Sequence, residues 1–80
     1  MPLFYIDLHD GTNFVRDKKG FELTDSVAAR EKLGHVLKRF SELLDTTSDG
    51  QIFLASVRDQ AGTIIMRARL TLAIEELETA

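Results

Sequence analysis

The chain has 80 residues, 44% hydrophobic and 29% charged, with a formal net charge of -3 and no cysteine. These values describe one folded globular domain, residues 1–80, and exclude a disordered segment, a disulfide scaffold, a thiolate zinc site and a thiol nucleophile. The acidic balance also argues against a general nucleic-acid binder, because phosphate neutralisation needs a basic surface.

The opening "MPLFYIDLHDG" carries no basic leader with a long apolar run, and no stretch has the length of a membrane span. A cytoplasmic domain with no membrane partner is therefore expected. Within that opening, Phe4, Ile6 and Leu8 alternate with Tyr5, Asp7 and His9, the period of a strand with one buried face. Asp10-Gly11 supplies the positive-φ residue of a tight turn. "NFVRD" reads as a short second strand, and "DKKG" turns the chain into "FEL", which continues that strand after a bulge or bend. Residues 3–23 thus form a predicted β-hairpin.

Thr24, Asp25 and Ser26 offer capping oxygens just where the apolar period changes from two to about 3.6. Ala29, Leu33, Val36 or Leu37, Phe40 and Leu44 make one stripe, which predicts a helix over 25–45. Gly34 lies inside it, either as a tolerated glycine or as a place where the helix backbone nears the sheet.

The connector holds Asp45, Thr47, Asp49 and Gly50 at the first, third, fifth and sixth places of a calcium loop. A calcium site needs six or more oxygen ligands and a bidentate Glu at the twelfth position, where this chain has Ser56. The reading adopted is a helix-to-strand connector, with no metal and no cofactor expected.

"QIFLASVRD" and "TIIMRARLTLAIEE" flank the turn "DQAGT" and predict a second hairpin over 51–75. Ile64, Met66, Ala68, Leu70, Leu72 and Ile74 fall on one face of the last strand, and Thr63, Arg67, Arg69, Thr71 and Glu75 on the other. The fold class is α+β in the order β-β-α-β-β, a four-stranded antiparallel sheet with one helix packed on one face. Tyr5, Asp7, His9, Ile65, Arg67 and Arg69 remain on the open face, joined by either Ile52 and Leu54 or Phe53, Ala55 and Val57. Apolar surface is left outside either way, and a long last strand would overhang its neighbours. Both features point to a contact surface and to self-association.

Candidate chemistry is sparse. Asp7, His9 and Asp10 lie close enough to suggest an acid-base pair or a metal corner, but His35 sits on the helix and no short catalytic motif accompanies them. Arg67 and Arg69, with Tyr5 nearby, could meet phosphates or bases, or pair with Asp7 or Glu22.

The segments "PLFYIDLHDG", "FVRDKKGFEL", "DSVAAREKL" and "FLASVRDQAGTIIMRARLTL" together resemble a family of small bacterial proteins of unknown function, of about this length and common in rhizobia and their relatives. Phe4, Tyr5, Asp7, Asp10, Gly11, Asp17, Gly20, Ala29, Arg30, Val57, Arg58, Asp59 and Gly62 sit where the family pattern places them. Thr24 departs from the proline or glycine that commonly precedes the helix aspartate. The resemblance implies a stand-alone domain without assigned activity.

The expectation is therefore a small interaction or regulatory module acting through protein-protein contacts, self-associating or meeting another protein, and not an enzyme. Its candidate surface is Tyr5, Asp7, His9, Ile65, Arg67 and Arg69. Two alternatives stay open: nucleic-acid binding through Arg67 and Arg69, and an enzyme using Asp7, His9 and Asp10.

Overall fold

A computed structural model describes residues 2–44 and 51–78. The elements run β1 (Leu3–His9), β2 (Phe14–Val15), β3 (Phe21–Glu22), α1 (Ser26–Ser41), β4 (Gln51–Arg58) and β5 (Ile64–Leu72). The class is α+β, with an antiparallel sheet in the order β2-β1-β4-β5 and β3 also paired with β1.

Five strands stand where four were expected, because the second expected strand is divided. β2 pairs with the end of β1 at Leu8 and His9, and β3 pairs with its start at Leu3 and Phe4. Between them Arg16–Gly20 leaves the ladder, and the Asp17 carboxylate accepts the Ile6 amide at 3.1 Å in place of a strand carbonyl. An unmet amide in a buried strand is costly, so one side chain completes the edge.

The register settles which face of β4 turns inward. Ile6 opposes Val57 and Leu8 opposes Ala55, while Ala55 opposes Ala68 and Val57 opposes Met66. Directly opposed residues share a face. Phe4, Ile6, Ala55 and Val57 therefore join Ala29 and Leu33 of α1 as the core, with Met66 and Ala68 packed against it. Ala29 and Ala55 are 0% and 1% exposed, so small side chains bring helix and sheet together. Ile52 and Leu54 are the pair left outside.

The helix starts as its sequence suggests. The Asp25 side chain accepts the Ala28 amide at 2.9 Å and caps the first turn. It stops earlier than residue 45, at Ser41. There the Ser41 hydroxyl donates to the Lys38 carbonyl at 2.6 Å, and Leu43 donates to Phe40 three residues back. A side chain competing for a helix carbonyl favours such tightening, and Leu43 stays 68% exposed, so its burial does little to hold another turn.

The calcium-loop positions Asp45, Thr47, Asp49 and Gly50 lie outside the described residues. β5 ends at Leu72 instead of residue 75, and Leu72 opposes Gln51, the first described residue of β4. The register also shifts between Val57 and Arg58: Met66 opposes Val57, and Ile64 opposes Arg58. The extra residue turns Ile64 from the expected inner set toward the outer face. Among the described residues no helix is long and apolar enough to cross a membrane.

Candidate functional site

The outer face has two unlike regions. The first surrounds Arg58, the last residue of β4. Its Nε donates to Asp7 Oδ2 at 2.6 Å and its Nη2 to Asp7 Oδ1 at 3.2 Å, a two-point contact that matches the guanidinium fork to the carboxylate. Nη2 also donates to the Asp17 carbonyl at 3.0 Å. The Asp17 amide in turn donates to Asp7 Oδ1 at 2.9 Å.

Arg58 lies over the Tyr5 ring, 4.9 Å from its centroid. Gly20 closes the cluster: at φ +77° it adopts the left-handed region, and a Cβ there would come within 2.9 Å of the Tyr5 ring. Asp17 accepts the Lys19 and Gly20 amides at 3.0 and 2.9 Å, which folds the D-x-x-G turn around its own carboxylate.

This arrangement reassigns several expected site residues. Asp7 is 6% exposed and bound to Arg58, not to Arg67 or Arg69, so it is a buried member of the sheet and not part of an open surface. Tyr5 is half-buried beneath the same arginine. His9 accepts the Gly11 amide through Nδ1 at 3.2 Å and tilts against Phe14. Asp10 accepts the Thr12 and Asn13 amides at 3.0 and 2.6 Å and holds the first turn, with Gly11 at φ +96°. The trio Asp7, His9 and Asp10 is thus divided between an ion pair and a turn. Glu22 lies on β3, across β1 and β4 from Arg67 and Arg69.

Two of these groups carry a pH signature. Burial pushes the Asp7 carboxyl up, but the Arg58 hydrogen bond, the Asp17 amide and the charges of Arg58 and Arg16 outweigh it and hold the carboxyl below its ordinary value. The Asn13 and Thr12 amides lower Asp10 to about 2. A depressed carboxyl binds its proton more weakly when folded than when unfolded. Its stabilisation is therefore complete above the ordinary carboxylate value of 3.8 and is lost as pH falls through the lowered folded value, about 2 for Asp10. Acid unfolding followed by circular dichroism is expected in that window. Asp10→Asn should flatten the part below pH 3.8 and leave the neutral plateau without pH dependence.

The second region is β5 with the outer half of β4. Arg67 opposes Ser56 and Arg69 opposes Leu54. Both arginines are exposed, and among the described residues neither joins an ion pair. Around them Ile52 is 42% exposed, Leu54 36%, Ile64 45% and Ile65 39%. Among the described residues β5 is also an edge, with β4 as its one neighbour in the sheet. Ile65, Arg67 and Arg69 are thus brought together on one strand, whereas Tyr5, Asp7 and His9 line another at the far side of β4. Sequence reasoning had not connected Arg58 and Asp17 to Asp7, although the V-R-D and D-x-x-G motifs contained both residues.

No curated protein and no solved structure matches the chain. The family described as Domain of unknown function (DUF6894) matches residues 3–71, most of β1 through β5. A small bulged sheet, whose D-x-x-G turn and late arginine lock together over the first strand, is thus the structure that this sequence gives to a member of the DUF6894 family, to which the chain belongs.

Proposed function

We propose that this domain acts through protein-protein contact and that its first partner is a second copy of itself, met along β5. The observation that carries the reading is the state of that strand. It has nine residues, forms a sheet edge, and bears Ile64 and Ile65 beside Arg67 and Arg69, which join no ion pair and lie under no helix among the described residues. Long exposed edges of this kind are templates for further pairing unless they are covered.

The core supports the same reading. Its buried apolar residues number six in the described part of the chain, and the radius of gyration is 15.3 Å, whereas a compact chain of this length has about 12 Å. Added burial along β5 supplies what a small core lacks. The residues that would have suggested catalysis are engaged elsewhere: Asp7 with Arg58, and Asp10 with its own turn.

Sedimentation velocity tests the proposal. The protein is expected to sediment with twice the mass of the 80-residue chain, and raised salt should weaken the dimer far less than it weakens phosphate binding, since the contact is mainly backbone pairing and apolar side chains. Leu70→Lys, a charge placed on the half-buried side of β5, should leave a folded monomer. A wild-type protein that stays monomeric at high micromolar concentration would remove the reading.

A further inference from the structure

The side of β5 that faces α1 is only partly covered. A groove runs between the two elements, lined by Arg30, Leu33, Gly34, Leu37, Met66 and Ala68. It is open at Gly34, where a Cβ would meet no atom within 4 Å, so the helix does not press on the sheet at that point.

Beyond Leu72 the chain continues through Ala73–Glu78 without regular secondary structure. In residue number the apolar phase of β5 continues to Ile74 and lapses at Glu76 and Leu77. Ile74 and Glu76 are in phase with Ala68, Leu70 and Leu72, and Ala73, Glu75 and Leu77 with Arg67, Arg69 and Thr71. Ile74 and Leu77 are 44% and 79% exposed, so this continuation carries apolar side chains that the single chain does not bury.

An antiparallel pairing of two β5 edges about a two-fold axis keeps both copies' faces aligned only if the axis passes a residue position. Axes at Arg67, Ala68 or Arg69 set arginine against arginine, which is unfavourable for directly opposed residues. An axis at Leu70 opposes Arg67 and Arg69 to Ala73 and Thr71. An axis at Thr71 does better than these, and better than one at Leu72, which also opposes Arg69 to Glu75 but sets Glu76 against Ala68 at the groove and Leu77 against Arg67. Outside, the Thr71 axis sets Arg67 against Glu75 of the second copy, twice by symmetry, and Thr71 against Thr71. Inside, it sets Ala68 against Ile74 and Met66 against Glu76 of the second copy. Ile74 then falls beside the open groove, within about one strand spacing of roughly 4.8 Å. Arg30 is a basic group on the same groove lining as Met66, which Glu76 would oppose.

Resting on the self-association proposed above, we infer that residues 73–77 of a second copy are the occupant of the β5 edge, paired about a two-fold axis at Thr71, with Glu75 on Arg67 and Ile74 closing the groove at Gly34. The segment after β5 becomes strand on pairing, and the ladder extends past Leu72 in both copies.

The absence of cysteine permits a direct test. Opposed residues in an antiparallel ladder have Cα atoms about 4.5–5.5 Å apart, a separation that a disulfide spans. Thr71→Cys is expected to give a covalent dimer under mild oxidation, whereas Arg69→Cys, opposite Ala73, should crosslink at least about tenfold more slowly. Arg67→Glu and Glu75→Arg should each raise the dimer Kd about tenfold, since each places two like-charge pairs across the axis, and the double variant should return close to wild type. Faster crosslinking at Ala68→Cys or Arg69→Cys would overturn this register while the self-association stood. So would wild-type-like dimers of both single charge variants. A monomeric wild-type protein would overturn both.

Discussion

Asp7→Ala is expected to lower the unfolding free energy by about 3 kcal/mol, from the typical cost of removing one partner of a buried ion pair. The Asp7 and Arg58 side chains are 8% and 13% exposed. The substitution leaves the guanidinium with only the Tyr5 ring and the Asp17 carbonyl, without a charge partner, and it strips the Asp17 amide of its acceptor. For a domain of this size the melting midpoint should fall by more than about 10 °C. Urea unfolding read by circular dichroism measures the change directly.

Two further variants identify the cause. Arg58→Lys should not hold wild-type stability, because a lysine cannot reproduce the two-point contact with Asp7 and the bond to the Asp17 carbonyl together. Arg58→Ala made on top of Asp7→Ala should cost less than Arg58→Ala alone, since contacting residues are not additive. An Asp7→Ala protein within about 0.5 kcal/mol of wild type, the range of a change at an indifferent surface site, would mean the pair contributes little to holding β1 and β4 together.

Elements whose signals are local were legible in the sequence. Phe4 and Ile6 sit on the core side of β1 because their alternation has one phase, and Asp25 caps α1 because an N-cap needs only the amides three residues ahead. Gly11 and Gly62 take positive φ at the turns their Asp-containing neighbours announce. The helix end was less legible. Leu44 continues the apolar stripe, and a stripe does not reveal that Ser41 turns its hydroxyl back on Lys38.

The divided second strand and the Arg58 cluster were not legible, for a common reason. Asp17 reaches the Ile6 amide across 11 residues and Arg58 reaches Asp7 across 51, so neither contact leaves a periodic trace. In β5, Ile64 and Ile65 are both apolar, and no alternation marks the residue that the bulge inserts. In β4 both phases are apolar as well; only the partner register, Val57 against Ile6, turns Ile52 and Leu54 outward. The candidate surface divides along the same line. Arg67 and Arg69 lie together because strand alternation is enough to place them, and Ile65 joins them at the bulge, while Asp7 left that surface through a partner that alternation cannot name.

Asp17→Ala is expected to cost about 2 kcal/mol, within the usual range for leaving a buried donor unmet. The carboxylate accepts three amides, those of Ile6, Lys19 and Gly20. Lys19 is exposed, so its amide recovers a bond to water; Ile6 is 5% exposed, and its amide faces the gap between β2 and β3 where no strand carbonyl stands in reserve. Asp17→Asn keeps a side-chain acceptor and should lose about half as much. Hydrogen exchange separates a local effect from a global one: the Ile6 amide should exchange faster in Asp17→Ala by more than the Val57 amide of β4, because the opening begins at the outer edge of β1. Equal acceleration at both positions would mean that the D-x-x-G turn supports the sheet as a whole. In that case the gap in the edge ladder is held by Arg58 gripping the Asp17 carbonyl, not by the Asp17 carboxylate.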